Sequence, residues 1–195
     1  PDGKTIPADA LLFAAERLAE RGGLLVVDEA FADADPKDSV AAHAGMDGLL
    51  VLKSFGKFFG LAGVRLGFAA GTRETAEVLS AMQGPWAVSG PALAIAAKAY
   101  RDEAAISGMQ ARMATDRKAL ETALKSAGLQ LLGGTDLFVL ARHFQAAHIR
   151  RELAARHILV RKFEHAADWL RFGLPKGAAE LARLNLALAD IMAEL

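Results

Sequence analysis

Lysine, serine and arginine residues lie close together in residues 51–68, VLKSFGKFFGLAGVRLGF, directly after a short apolar run. Ser54 precedes Lys57 by three residues, and Arg65 follows it by eight. Burial and neighbouring positive charge favour the neutral form of a lysine amine and make it a nucleophile. A hydroxyl and a planar guanidinium are suited to hold phosphate oxygens. These residue types predict an amine nucleophile beside an anion site.

Three known kinds of site contain a lysine near glycine or serine in this way. A phosphate-binding P-loop is excluded, because it needs Gly where Val51 stands and Ser or Thr where Phe58 stands. The Ser-x-x-Lys site of penicillin-recognising enzymes fits residues 54–57, but its accompanying Ser-Asp-Asn and Lys-Thr-Gly tripeptides do not occur. We favour the third kind, a lysine that forms a Schiff base with pyridoxal phosphate (PLP). Its apolar surroundings would come from Phe55, Phe58, Phe59 and Leu61.

An acidic residue follows a second apolar run, GLLVVDEAF, and Asp28 stands at the carboxyl end of the strand that this run predicts. A run that is apolar at every position is typical of a strand covered on both faces, as in a parallel sheet. The run GLLVLKS before Lys57 repeats the pattern. Ligands of open α/β sheets bind outside the carboxyl ends of the strands, so we expect Asp28 and Lys57 at one edge. A carboxylate there can keep the pyridine nitrogen of PLP protonated.

The remaining sequence predicts two parts of different character. A third run, RLGFAAG, precedes a helix that begins near Thr72, and this order of elements indicates an α/β domain. Residues 93–127 have a long helical pattern in which Gly108 is the one weak point. Shorter predicted strands and helices follow, which is typical of a small α+β unit. We therefore predict a domain boundary near residue 105.

The combination of VVDEAF and SFGKFFGLAGVRLGF resembles the core of fold-type-I PLP enzymes of the aspartate aminotransferase superfamily. The opening Pro1-Asp2-Gly3 resembles the end of the superfamily's Asn-Pro-x-Asn-Pro-x-Gly loop, and WLRFGLP resembles its C-terminal arginine segment. The resemblance implies an α/β fold in which residues 1–105 are the remainder of the large PLP-binding domain. Residues 106–195 are then the small C-terminal α+β domain. It also implies that the chain is the C-terminal part of a longer one.

Within this superfamily the chain is similar to the threonine-phosphate decarboxylases of cobalamin biosynthesis and to their relatives, the histidinol-phosphate aminotransferases. SFGKFFGLAGVRLGF, DEAFAD and GPWAVSGPAL resemble the decarboxylase branch more. Phe31 departs from the superfamily's usual Tyr, which donates a hydrogen bond to the phenolic oxygen of the cofactor. We interpret this departure as favouring decarboxylation of L-threonine O-3-phosphate to aminopropanol phosphate. The alternatives are an aminotransferase and an incomplete fragment without catalytic activity.

The same resemblance implies which residues act. Lys57 is the expected catalytic residue. The expected cofactor-binding residues are Asp28, Phe31, Ser54, Lys57 and Arg65. Arg161 and Arg171 are expected to bind the phosphate and the carboxylate of a phosphorylated amino acid. Enzymes of this fold type build each site across a homodimer, so a homodimer is also expected.

The composition excludes other classes of function. Lys plus Arg and Asp plus Glu number 23 each, so no excess charge favours nucleic acid or an anionic membrane. The absence of cysteine excludes disulfides and thiolate catalysis, and fits a reducing compartment. No apolar stretch reaches the roughly 20 residues of a membrane span. The histidines lack metal-ligand spacing. We therefore expect a cytoplasmic protein without metal, nucleic-acid or membrane partners.

Overall fold

The computed structural model describes residues 2–195, and these residues form two compact units. The first unit is Thr5–Ser107, and the second unit contains residues 2–4 and Gly108–Leu195. The division between them lies inside a long helix, Glu103–Ser126. The domain boundary near residue 105 stays a prediction. Residues 2–4 lie with the second unit, where the Gly134 amide donates a hydrogen bond to the Gly3 carbonyl at 3.4 Å.

The first unit contains a three-stranded sheet with helices before and after it. Its elements are α1 (Ala8–Ala19), β1 (Leu25–Asp28), β2 (Leu49–Ser54), α2 (Phe55–Phe58), β3 (Gly67–Ala70), α3 (Arg73–Gln83), α4 (Gly90–Arg101) and the beginning of α5 (Glu103–Ser126). The predicted helix start near Thr72 is confirmed, since the Thr72 hydroxyl accepts a hydrogen bond from the Thr75 amide and caps α3.

The sheet has the strand order β1-β2-β3. The two predicted strands that carry the chemistry, β1 and β2, are parallel, with Asp28 opposite Leu52. Their carboxyl ends therefore lie at the same edge of the sheet. The third strand, β3, is antiparallel to β2 and pairs Gly67 with Ser54. The connection of residues 55–66 holds only the single-turn helix α2 and a 3-10 turn, and short connections favour antiparallel neighbours.

The expectation that the first strand is covered on both faces is wrong for the residues described. Leu25 and Val27 of β1 pack against α1 in a cluster that contains Ala15. Val26 is 52% exposed on the other face. Within residues 2–195, β1 is an edge strand with one packed face, which lies against α1 and against residues of the connection to β2 such as Val40.

The long helical pattern of residues 93–127 forms two helices rather than one. Helix α4 ends at Arg101, and Asp102 leaves the helical region with φ −91° and ψ 75°. The Asp102 carboxylate accepts a hydrogen bond from the Ala105 amide at 3.0 Å, which starts α5 as an N-cap does. The predicted weak point, Gly108, lies inside α5. The helix is therefore interrupted by a capping side chain and not by a glycine.

The second unit contains a four-stranded antiparallel sheet with the order β4-β5-β7-β6. Its elements after α5 are β4 (Gln130–Thr135), β5 (Phe138–Arg142), α6 (Ala146–Ala155), β6 (Arg161–Lys162), β7 (Trp169–Gly173) and α7 (Gly177–Ala193). The core lies between this sheet and helices α5, α6 and α7. Its largest buried side chains include Leu120, Ile149, Leu153, Phe172 and Ile191.

Candidate functional site

Two loops meet where β1 and β2 end, and they carry the residues that the sequence singles out. The Glu29 amide donates to the Leu52 carbonyl at 2.8 Å, so pairing of the strands continues one residue beyond β1. The Asp28 carboxylate accepts a hydrogen bond from the Ala30 amide at 2.9 Å and begins the turn after the strand. Asp28 is therefore fixed at the sheet edge, next to the strand that leads to Lys57.

Lys57 lies in the single-turn helix α2, which begins directly after β2. Its Nζ lies 4.6 Å from the centroid of the Phe31 ring, within the range of a cation–π contact. The loop after β1 and the helix after β2 are therefore in contact through Phe31 and Lys57. Ser54 occupies the N-cap position of α2, but its hydroxyl makes no capping hydrogen bond. That hydroxyl is available for a ligand.

Arg65 has a left-handed backbone, with φ 56° and ψ 48°, an uncommon conformation for a residue other than glycine. Its Nη1 donates to the Ala62 carbonyl at 3.1 Å, which leaves its other guanidinium N–H groups for further acceptors. The next residue, Leu66, accepts a hydrogen bond from the Phe55 amide. Because Ser54 and Phe55 are adjacent, this bond brings the chain around Arg65 next to Ser54.

Glycine is required inside the Ser-x-Gly-Lys sequence. A Cβ on Gly56 would lie 2.7 Å from the Cα of Ala62, which is closer than a carbon can approach. The single turn of α2 therefore packs directly against the backbone of the 3-10 turn that precedes Arg65. Phe55 and Phe58 are buried, as expected for apolar residues around this turn, but Lys57 itself is exposed, so the burial of its amine that the sequence predicts is not observed among residues 2–195. The expectation is wrong for Leu61, which is exposed.

A charged cluster that sequence reasoning missed lies under the same edge. Glu29 is only 6% exposed, and its carboxylate accepts hydrogen bonds from the Ser39 hydroxyl and the Val40 amide, both at 2.6 Å. Lys53 Nζ lies 3.3 Å from Glu29 Oε2 and 2.6 Å from Asp33 Oδ1. Burial lowers the pKa of Lys53, but hydrogen bonds and attraction to Asp33 and Glu29 outweigh this and hold the pKa above its ordinary value. Lys53 is therefore a fixed positive charge.

The available sequence signal for this cluster is adjacency. Glu29 directly follows Asp28, and Lys53 directly precedes Ser54, so an acid and a base flank the two strand ends. Tyr100 of α4 extends the cluster, because its hydroxyl donates to Asp33 Oδ2 at 3.2 Å. Burial and the negative charge of Asp33 raise the pKa of Tyr100, which keeps its hydroxyl protonated as a donor.

Arg161 and Arg171 of the second unit are opposite each other on the neighbouring strands β6 and β7. Directly opposed residues of an antiparallel pair point to the same face, so the two guanidinium groups lie on one side of the sheet. Burial and the positive charge of Arg161 lower the pKa of Arg171. Asp168, the acid nearest to Arg171 in sequence, forms its ion pair with Arg142. The face thus concentrates positive charge that suits an anion with two acidic groups.

The structure brings the predicted residues together in two groups. Asp28, Phe31, Ser54, Lys57 and Arg65 lie around the carboxyl edge of the sheet of the first unit. Arg161 and Arg171 form the cationic pair of the second unit. No group of three or more metal-binding side chains occurs among residues 2–195. No helix in this described part of the chain is long and apolar enough to cross a membrane.

Comparison with solved structures defines the class of protein. Histidinol-phosphate aminotransferase from Sinorhizobium meliloti, solved in complex with pyridoxal-5'-phosphate, aligns with 100% of this chain at a TM-score of 0.88 and 25% identity. The alignment covers 55% of that structure. The chain therefore has the α/β fold of part of a PLP-dependent transferase of fold type I.

Sequence comparison then gives the family. The model of the family "Aminotransferase class I and II" matches residues 1–184, and the chain belongs to this family. Among curated relatives, threonine-phosphate decarboxylase from Sinorhizobium sp. is 49% identical over 97% of this chain and 56% of its own length. The protein of the same name from Pseudomonas aeruginosa is 44% identical over 96% of this chain and 56% of its own length. The chain thus spans about half the length of these curated relatives.

Proposed function

We propose that the chain contributes the cofactor site of a PLP-dependent decarboxylase that converts L-threonine O-3-phosphate to aminopropanol phosphate in cobalamin biosynthesis. The observation that carries the proposal is the contact of Lys57 Nζ with the Phe31 ring, at the edge where the two parallel strands end. This edge joins a lysine amine to a phenylalanine that replaces the superfamily's tyrosine. Similarity to the two threonine-phosphate decarboxylases supports the same reaction.

The donor groups at this edge fit PLP by their chemistry. The cofactor has an aldehyde, a phosphate and a pyridine nitrogen, and the edge offers an amine, two kinds of phosphate donor and a carboxylate. Lys57 would hold the aldehyde carbon, Ser54 and Arg65 the phosphate, and Asp28 the protonated pyridine nitrogen. When bound, PLP supplies an electron sink for the bond that breaks at the substrate Cα.

The residues of the chain then have separate tasks in the reaction. Asp28 holds the proton on the pyridine nitrogen, because a carboxylate stabilises the neighbouring positive charge. Ser54 and Arg65 fix the phosphate and so fix the distance from that anchor to Lys57. Lys57 would take up the proton that the substrate ammonium loses when its amine binds, and the ammonium group so formed would deliver that proton to Cα after CO2 leaves.

Arg161 and Arg171 are the proposed substrate-binding pair. L-threonine O-3-phosphate carries a carboxylate and a phosphate, and each can accept two parallel hydrogen bonds from one guanidinium. Holding both anionic groups would fix the orientation of the substrate at the cofactor and so select which bond at Cα breaks. The pairing of the two arginines on one face of the sheet supports this role.

An aminotransferase such as a histidinol-phosphate aminotransferase is the second candidate, and its support is the structural likeness to the Sinorhizobium meliloti enzyme. In that reaction Lys57 would move a proton from Cα to the C4′ carbon of the cofactor. The third candidate is an incomplete, non-catalytic fragment, and its support is the half-length match to the curated relatives. We further propose a cytoplasmic homodimer that binds neither nucleic acid nor membranes, in keeping with its balanced charge.

One pair of assays tests the reaction. Full-length protein with PLP receives either threonine phosphate, with release of CO2 measured, or histidinol phosphate with 2-oxoglutarate, with formation of glutamate measured. The proposal predicts CO2 from the first mixture and a background level of glutamate from the second. Glutamate without CO2 would establish the aminotransferase instead. Intact mass and the same assays on the 195-residue chain alone test the fragment hypothesis.

A further inference from the structure

Lys53 joins three segments of the first unit that are distant in sequence. We use the name Lys53 network for Lys53, the two acids that it binds, Glu29 and Asp33, and the two hydroxyl groups that donate to those acids, of Ser39 and Tyr100. Lys53 itself lies on β2, next to Ser54. Glu29 and Asp33 lie at the start of the connection between β1 and β2, Ser39 lies near its middle, and Tyr100 lies on α4.

The network closes the loop of residues 29–40 on itself. Glu29 Oε1 accepts from the Val40 amide and Glu29 Oε2 from the Ser39 hydroxyl, both at 2.6 Å, which connects the first residues of the loop to the last. Lys53 then binds Glu29 and Asp33 together, and these two acids stand on either side of Phe31 in the chain. The position of Phe31 is therefore restrained from both sides.

The buried carboxylate of Glu29 needs its hydrogen bonds and its ion pair with Lys53. Glu29 is the only buried charged or polar side chain among residues 2–195, and an isolated carboxylate in such a place would be strongly destabilised. Exposed ion pairs of this chain, such as Arg17 with Glu20, contribute little because water screens them. Buried ionic groups favour one arrangement over its alternatives in some proteins, and we apply that idea to the loop of residues 29–40.

We infer that Lys53 and Glu29 are positioning residues of the cofactor site: they fix the loop that carries Phe31 and thereby set the place of the Lys57 amine. Phe31 contacts Lys57 Nζ at 4.6 Å, and Asp28 stands directly before Glu29 in the chain. Loss of the network would free the loop that carries Phe31, and with it the contact of Phe31 with Lys57 and the position of Asp28. The inference rests on the proposed role of Lys57 as the residue that binds PLP.

Hydrogen exchange on PLP-free full-length protein tests the first half of the inference. Lys53→Met should speed exchange of the backbone amides of residues 32–40 by tenfold or more, on the order expected when a local restraint is lost. Lys53→Arg keeps the charge and should retain exchange near that of the parent. Arg17→Met, which removes an exposed ion pair on α1, is the matched control and should leave these amides unchanged. Unchanged exchange in folded Lys53→Met would overturn the inference.

Reductive attachment of PLP tests the second half. With saturating PLP and borohydride, the rate of PLP incorporation at Lys57, located by peptide mass, should fall roughly tenfold to a hundredfold in Lys53→Met, because small displacements at a reacting group have effects of this size. The double variant Lys53→Met/Glu29→Gln leaves no unpaired carboxylate at position 29. The melting temperature of the double variant should therefore return towards that of the parent while its rate of PLP incorporation stays low. Lys53→Arg should keep both the melting temperature and the rate near those of the parent.

The outcomes separate this inference from the proposed function. Parent protein that takes no PLP at Lys57 overturns both. Parent protein that takes PLP at Lys57, with Lys53→Met incorporating at the same rate within about twofold, overturns the positioning role alone. A double variant that regains both melting temperature and incorporation assigns the network to stability only and also overturns the inference. Should Lys53→Met fail to fold, Glu29→Gln takes its place with the same expectations.

Discussion

Phe31 is the single residue on which the choice between the two proposed reactions depends most. Its ring contacts Lys57 Nζ and, unlike a tyrosine, has no hydroxyl to donate to the cofactor's phenolic oxygen. We propose that loss of that hydrogen bond changes how strongly the cofactor holds its proton. On the proposed function, a chemical change at this one position would act on the step that distinguishes loss of CO2 from loss of the Cα proton.

Phe31→Tyr should lower the rate of CO2 release about tenfold and raise the rate of proton exchange at Cα, since a hydroxyl would return next to Lys57. The measurement compares CO2 release with deuterium incorporation into unreacted threonine phosphate in heavy water. Phe13→Tyr, an exposed phenylalanine of α1, is the matched control and should leave both rates unchanged. An unchanged ratio of the two rates in Phe31→Tyr would remove Phe31 from the account of reaction choice.

Arg171→Met should lower kcat/KM for threonine phosphate roughly tenfold to a hundredfold, the size expected when a charged hydrogen bond to the substrate is lost. Arg142→Met is the control, because Arg142 lies on the adjacent strand β5 and pairs with Asp168. Binding of PLP should be unaffected in both variants. Equal loss of kcat/KM in Arg142→Met would assign the effect to the sheet and not to the substrate.

The sequence predicts some residues of the candidate site and misses others for a physical reason. Lys57 is recognisable from its spacing to Ser54 and Arg65, and Asp28 because it stands directly at the end of an apolar run. Glu29 and Lys53 stand next to the same positions, but their pairing depends on the parallel register that aligns Asp28 with Leu52. That register is a property of the folded sheet. Adjacency in the chain alone does not distinguish a buried pair from two solvated charges.

At the scale of elements, the placement of Lys57 depends on how α2 packs against the turn before Arg65. Gly56 makes this packing possible, because its missing side chain allows the backbone of Ala62 to approach. The turn then leads into the left-handed Arg65 and from there to β3. A local change at Gly56 should therefore alter the spacing between the proposed amine and phosphate contacts.

Gly56→Ala should reduce the unfolding free energy by about 1–3 kcal/mol, the usual effect of forcing a methyl group into a packed contact. The melting temperature should fall by several degrees, and PLP incorporation at Lys57 should slow. Gly63→Ala is the matched control in the adjacent 3-10 turn, since a Cβ there meets no atom within 4 Å. Equal melting temperatures for the two variants would show that α2 and Ala62 do not pack closely in solution.

Element boundaries show where prediction from local sequence ends. The helix that begins near Thr72 is predicted correctly, since apolar spacing and a nearby capping residue are local signals. The sequence pattern predicts one long helix with a weak point at Gly108, whereas the break between α4 and α5 falls at Asp102, which carries the capping signal. Likewise, whether the outer face of β1 is covered depends on which other elements pack against it in the folded protein. An apolar run alone does not show whether one or both faces of its strand are buried.

At the scale of the whole molecule, the proposed cofactor contacts and the proposed substrate contacts lie in different compact units of the chain. Asp28, Lys57 and the other proposed PLP contacts belong to the first, and Arg161 with Arg171 belongs to the second. Membership of the aminotransferase class I and II family follows from a match over residues 1–184. The sequence motifs predict this family because its chemistry needs particular residue types in order, whereas dimerisation and substrate choice depend on surfaces beyond these motifs.

The central claim is that Lys57 is the residue that binds PLP, and its most direct test is the location of PLP after borohydride reduction. Trypsin cuts after Lys53 and Arg65 but not at a modified lysine, so attachment at Lys57 predicts the uncut peptide of residues 54–65 carrying the added mass. Lys57→Ala should carry no attached PLP at saturating cofactor. Attachment at another lysine with an unmodified Lys57, or full attachment in Lys57→Ala, would contradict the account.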